Sequence, residues 1–454
     1  MDKELLFKYN IPGPRYTSYP TVPYWQKTPP TEQKWKELVR ESFEVSNQKE
    51  GISLYVHLPF CESLCTYCGC NTRITTNHNV EETYINAVLK EWAMYFEVFG
   101  NEKPVIREIH LGGGTPTFFK PENLRRLIQG LVAGASIHPS AQFSFEAHPG
   151  NTTDEHLQAL YEEGFRRISI GVQDFNNHVL MLINRHQTFE QVCHLTQKAR
   201  EIGYTSVNYD IVYGLPGQKA CYMMETMMRV VKLRPDRIAF YSYAHVPRTK
   251  PGQSRYSEND LPDPDKKMAI YETGRNALEI AGYHDIGMDH FSLNTDELYR
   301  AQSEGRLHRN FMGYTDTNTQ LLIGLGASAI SDSWRAYAQN EKKVEDYYQR
   351  LENGELPIFR GHELTESDLI LRRHILRIMT GFETSWEQPD QVCDELYEAI
   401  ERLNELEEDE LVRIEPYHLW VTDKGKAFVR NVCMAFDARL WADAAPVSTF
   451  SKTI

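Results

Sequence analysis

Between about residues 50 and 250, six short apolar runs alternate with stretches whose apolar residues recur at helical spacing, the pattern of repeated βα units around a parallel sheet. The runs predict strands over 53–58, 105–111, 142–146, 167–172, 206–212 and 237–243. The first helix is expected over 80–99, where Tyr84, Val88, Trp92, Tyr95 and Phe96 keep helical spacing and Gly100 is placed to end it. Others are expected from Pro121 toward Leu131, over 154–163 before Gly164, over 189–202 before Gly203, and over 222–233. Right-handed crossovers curl such units into a partial or complete parallel (β/α) barrel, with function gathered at the carboxyl ends of the strands. Gly112, Gly113, Gly114, Glu146, Gln173, Asp210 and Ala244 all fall at or just past those ends, so they are expected to share one mouth.

A chain of 454 residues exceeds the length at which one core stops growing, and its character changes twice. Residues 1–50 begin with a Pro- and Tyr-rich stretch and read as an extended arm followed by a helix. Residues 51–362 hold the barrel with an extension. Residues 363–454 predict helices over 368–379 and 391–406, a hairpin over 411–414 and 419–421, and a last helix over 424–436. That is a small α+β, winged-helix-like cap. The formal charge of −14 repels a phosphate backbone and excludes non-specific nucleic-acid binding. Asp2 and Glu4 open a segment with no long apolar run, so neither a signal peptide nor a membrane span is expected and the protein reads as cytoplasmic.

Four of the eight cysteines crowd one loop after the first strand: Cys61, Cys65, Cys68 and Cys70, in P-F-C-E-S-L-C-T-Y-C-G-C. A complete ferredoxin ligand set is usually four cysteines per cluster, whereas C-x3-C-x2-C offers three and leaves one iron open. Zinc held by all four thiolates is a second reading and ordinary reduced thiols a third. Structural zinc sites usually draw on two separated pairs, which makes the crowded loop a poor match. The other cysteines, Cys193, Cys221, Cys393 and Cys433, are scattered and read as buried small apolar groups. His57 and His290 read as satisfied core or loop residues rather than catalysts.

An open iron can bind the amine and carboxylate of a sulfonium ligand, and the cysteine loop followed by Gly112-Gly113-Gly114-Thr115-Pro116 after the second strand resembles the radical S-adenosylmethionine (SAM) superfamily. Glycines in that turn let backbone approach the cofactor where a Cβ would block it. R-Y-T-S-Y-P-T at 15–21, C-G-C-N, G-V-Q-D-F-N at 171–176, Y-G-L-P at 213–216, Y-A-H at 243–245, G-M-D-H-F at 287–291 and H-R-N-F at 308–311 narrow the resemblance to the oxygen-independent coproporphyrinogen III oxidase family. This resemblance covers nearly the whole chain. It implies a [4Fe-4S] cluster on Cys61, Cys65 and Cys68, with Cys70 matching a fourth cysteine that is not a ligand. It also implies that Tyr55, Gly113, Glu146 and Ile330 contact the SAM at the cluster, and that Tyr67, Gly114, Thr115, Gln173, Arg185, Asp210 and Ala244 surround a second SAM.

The implied reaction turns two propionates of coproporphyrinogen III into vinyl groups through a 5′-deoxyadenosyl radical, with reduced flavodoxin or ferredoxin as electron donor and the protein a monomer. Tyr55, Tyr67 and Arg15 are candidates to stand near the substrate, Arg15 as a cation at the mouth. The chain departs from the family pattern at Tyr67, where Phe is often found, at His148 and Gly150, where Asp and Arg are familiar, and at Met312, where Gln is familiar. Two rival functions are a haem chaperone and a radical enzyme acting on another tetrapyrrole. The chaperones generally lack the Tyr-Thr-Ser-Tyr-Pro arm and the fourth cysteine, both of which this chain has.

Overall fold

The six expected parallel strands form in order as Ile52–Leu58 (β1), Val105–Gly113 (β2), Ser136–Ala147 (β3), Phe165–Gln173 (β4), Ser206–Tyr213 (β5) and Arg237–Ser242 (β6). This computed structural model describes residues 3–442 apart from 27, 101 and 249, together with 450, 452 and 453. Each of the six strands pairs in parallel with the next. Beyond β1, Leu322–Leu325 runs parallel to it and three antiparallel strands follow, ending at Ile358–Glu363. Beyond β6, His290–Leu293 and Tyr283–Gly287 add two antiparallel strands. The result is one 12-stranded sheet whose outermost strands do not pair, so the barrel is partial.

The main core lies between this sheet and its helices, which explains why the strands read as apolar runs: Ile52, Leu54, Val56 and Leu58 of β1 are all fully buried. Helix ends match local chemistry. Thr188 and Gln191 form a capping box that starts Phe189–Ile202, and Gly203, at φ 117°, ends it in the left-handed region. One short helix was not expected. Asn177–Leu182 is too short to show a period, but the Asn176 side chain caps it by accepting from the backbone N–H groups of His178 and Val179.

A second core joins the two ends of the chain. Leu371, Ile375, Leu396, Leu419 and Phe436 pack with Tyr9, Tyr16 and Tyr19 of the arm. The 391–406 helix breaks into Asp394–Arg402 and Asn404–Glu408, and the expected hairpin gains a third strand, Glu383–Ser385. Residues 1–50, expected as one unit, divide between the cores, because helix Glu32–Ser46 buries Trp35, Leu38, Val39 and Phe43 against the barrel. Buried Arg430 holds the arm by donating to the carbonyls of Gly13, Pro14, Lys452 and Thr453.

Candidate active site

The carboxyl ends of β1–β6 open into a cavity of about 620 Å³ lined by Cys61, Cys65 and Cys68. Their loop is pinned at three places by backbone and side-chain bonds. Gly114 N–H donates to Leu58 O (2.8 Å), Thr66 N–H to Ile183 O (3.0 Å), and Asn184 Nδ2 to Leu64 O (2.7 Å). Each of the three sulfurs also has a polar neighbour. Thr115 Oγ1 lies 3.3 Å from Cys61 Sγ, Arg185 Nη1 donates to Cys65 Sγ (3.6 Å), and Cys70 N–H donates to Cys68 Sγ (3.4 Å). Hydrogen bonding from Cys70 draws the Cys68 thiol down to about 6, while burial pushes Cys61 up to about 11. Three soft donors on one wall, each with a hydrogen-bonding partner, suit a thiolate-held iron–sulfur centre.

Beside them Gly113 and Gly114 present bare backbone to the cavity. Gly113 sits at φ +117°, and a Cβ on Gly114 would lie 2.6 Å from Pro59 O, inside the start of the cysteine loop. Glu146 Oε2 accepts from Gly113 N–H (3.2 Å) and Oε1 lies 3.6 Å from His110 Nε2. Burial raises this carboxyl, but His110 outweighs burial and holds it below the usual carboxylate range. Deeper in, Ser169 Oγ (3.1 Å) and Asn208 Nδ2 (2.9 Å) donate to Asp210, which burial and then the Glu146 charge push up to about 7. Gln173, at φ +66°, holds a strained left-handed conformation at the end of β4. Arg185 is buried and donates from Nε to Gln187 (2.9 Å) and from Nη2 to Gly171 O, so it is no surface charge.

Of the residues expected here, Tyr67, Gly113, Gly114, Thr115, Glu146, Gln173, Arg185, Asp210 and Ala244 line the cavity with the three cysteines. Tyr55 backs the wall, where a Cβ on Gly112 would meet its ring at 3.0 Å. Ile330 also stands behind the wall, with its backbone against Gly324, the ladder partner of Tyr55, and its side chain packed near Trp25 and Tyr337.

Arg15 stands beside this mouth: its guanidinium pairs with Asp289 (2.8 Å) on the wall of a second cavity of about 720 Å³ and lies 5.8 Å from the ring centre of Tyr241, which lines the first. The two histidines differ. His57 is satisfied by Tyr55 OH (3.0 Å) and Asn71 O (2.8 Å), whereas His290 lines the cavity with Nδ1 buried and unpartnered. Cys221 is exposed rather than buried, because its helix turns it to solvent.

The sequence reading missed Glu108, His110, Ser144, Arg167, Ser169, Asn208, Arg237 and Tyr241 on the same wall. The signal was available. Counting back by twos from Gly112, Glu146, Gln173, Asp210 and Tyr243 reaches every one of them, since alternate residues of a strand share a face. Gln253 has no such signal; its side chain donates to the carbonyls of Tyr67 (3.1 Å) and Ala244 (3.3 Å) from an irregular segment.

The profile described as the Radical SAM superfamily matches residues 55–230. The oxygen-independent coproporphyrinogen III oxidase of Escherichia coli (strain K12) is 38% identical over 100% of this chain and 98% of its own length. The protein of the same name from Pseudomonas aeruginosa is 36% identical over 97% of this chain and 96% of its own. A solved structure of E. coli coproporphyrinogen III oxidase, described as a radical SAM enzyme, superposes with a TM-score of 0.88 at 36% identity, covering 96% of this chain and 98% of that one.

Proposed function

The chain belongs to the family of oxygen-independent coproporphyrinogen III oxidases, and from that premise we propose that the cavity at the ends of its strands is where two propionates of coproporphyrinogen III are oxidatively decarboxylated to vinyl groups. The product is protoporphyrinogen IX, on the route to haem. The observation that carries the assignment of the site is the meeting of three cysteine sulfurs with Gly113 and Gly114 in one cavity.

Cys61, Cys65 and Cys68 are the residues that would hold a [4Fe-4S] cluster with SAM beside it. Together these groups would supply the radical chemistry that begins at the propionate β-carbon. The chain supplies orientation and shelter. Gly113 and Glu146 flank the SAM at the cluster, with Tyr55 and Ile330 behind the wall. Tyr67, Gly114, Thr115, Gln173, Arg185, Asp210 and Ala244 surround a second SAM. The exposed loop residues Glu62, Ser63 and Leu64 offer reduced flavodoxin or ferredoxin a short approach to the cluster. No helix among the described residues is long and apolar enough to cross a membrane. Anaerobic incubation of the reconstituted protein with coproporphyrinogen III, SAM and a reductant tests the reading: cofactor cleavage without vinyl product overturns the substrate.

Asp210 gives the site a pH signature. A sulfonium cofactor selects the ionised carboxylate, so SAM affinity is expected to weaken as pH falls through about 7, and Asp210→Asn to flatten that profile. Stability runs the other way. The folded state keeps a proton on Asp210 that the unfolded chain releases above about 4, so this contribution is present at acid pH and lost as pH rises through about 7. Asp210→Asn should therefore raise the melting temperature of the cofactor-free protein more at about pH 8 than at about pH 5.

A further inference from the structure

On the β6 side of the cavity, across from the cysteine loop, a hairpin of His308–Asn310 and Gly313–Thr315 closes the wall. It carries an arginine with no acidic side chain among its hydrogen-bond partners in the described residues. Arg309 is 5% exposed, and its Nε and Nη1 are buried without a hydrogen-bond partner. Its one hydrogen bond among the described residues runs from Nη2 to the Arg15 carbonyl (3.2 Å), and its guanidinium lies 4.5 Å from the ring centre of Tyr314, its ladder partner. Arg309 stands behind the cavity wall, while the cations that line it are engaged: Arg167 with Gln142 (2.6 Å), Arg185 with Gln187 (2.9 Å), Arg237 with Asp296 (2.6 Å) and Lys250 with Cys70 O (3.2 Å). A buried guanidinium with two idle donors is costly unless something completes it.

The second idle group is adjacent. His290 faces Tyr314 edge-on at 5.2 Å between ring centres, and its Nδ1 is buried and unpartnered. Burial and then the Arg309 charge hold this imidazole neutral, down at about 3, so it has one N–H to give and can place it on Nδ1. Either idle nitrogen of Arg309 can form a two-point fork with the second hydrogen of Nη2, matching the two oxygens of a carboxylate, and His290 supplies a further donor. Met312, on the same hairpin and on the cavity wall, is the adaptable side chain there.

We propose that Arg309 and His290 form a carboxylate anchor that grips a propionate of the tetrapyrrole other than the one being decarboxylated, once the Met312 side chain moves aside. The placement favours this role, because the anchor stands across the cavity from the cluster loop. The inference rests on the substrate reading above and deepens it.

The test uses the cluster-loaded enzyme and coproporphyrin III, the oxidised form that does not react, alongside its tetramethyl ester. Fluorescence titration of the wild type should show the acid bound more tightly than the ester. Arg309→Met should weaken acid binding by about ten- to a hundredfold and leave the ester unchanged, and Arg309→Lys should recover part of the loss. In turnover the same variant should raise KM for coproporphyrinogen III with kcat little changed. His290→Phe, a second variant should the first fail to fold, is expected to narrow the acid–ester difference in the same sense. The proposal is overturned if both variants bind the acid like the wild type, if acid and ester affinity fall together, or if SAM affinity falls in place of porphyrin affinity, which would assign the carboxylate to the cofactor. Wild-type enzyme that binds coproporphyrin III but makes no vinyl product would sink the activity reading and leave the anchor standing.

Discussion

Cys65→Ala should leave the anaerobically purified protein with iron and sulfide at background, and vinyl-product formation should disappear with them. Cys70 is not expected to take the place of Cys65, because its backbone N–H, donating to Cys68 Sγ (3.4 Å), holds it beside a different sulfur. The expected loss should far exceed the ~10–100-fold typical of removing an outer-shell partner of a metal site. Thr115→Val is the matched comparison, since Thr115 Oγ1 lies 3.3 Å from Cys61 Sγ and only that contact is removed. It should retain iron and lose activity within that outer-shell range. Iron retained at the wild-type level in Cys65→Ala would mean that the loop does not hold the cluster as proposed.

Gly114→Ala is expected to lower turnover by about a hundredfold while costing only about 1–3 kcal/mol of stability. The added methyl would meet backbone, with Pro59 O at 2.6 Å, Pro59 C at 2.7 Å and Phe60 O at 2.9 Å, so no side chain can rotate away to admit it. The strand end and the cysteine loop must then separate. A shift of about 1 Å in that pair moves the cluster relative to the cofactor's cradle, which is enough to account for the rate loss. Iron content should change little, and SAM affinity, measured by equilibrium dialysis, should fall with turnover. Wild-type affinity and turnover would show that the turn is a strand-to-helix connection and nothing more.

How far the residues announced this arrangement depends on how local each signal is. The parallel strands were legible because the apolar residues facing the helices recur at every second position; boundaries agree to within two residues for most of them. The first half of β3 was not legible. Ser136–Ala141 is largely exposed and polar, so it carries no apolar run to read. The hairpins after residue 280 were missed for a related reason, their strands being three to five residues long. Cys61 and Gly114 lie just past strand ends, and Glu146 and Asp210 in the carboxyl halves of β3 and β5, so the strand pattern was enough to bring them to one mouth. The ion pair of Arg15 with Asp289 and the idle donors of Arg309 were not legible, because both depend on how distant segments pack.

The grip of Arg430 on Gly13, Pro14, Lys452 and Thr453 has a consequence for biosynthesis. The arm leaves the ribosome early, but its partners come late, first Asp289, Arg309 and Tyr337 and then the residues near 430 and 452, while all six βα units are complete by about residue 250. During translation the nascent barrel therefore stands unsealed on the side where Arg15 later meets Arg309, giving iron and sulfide delivery a window that closes with the last turn of the C-terminal core. Chains cut short after the barrel should accept a cluster readily and yet squander their radicals on solvent.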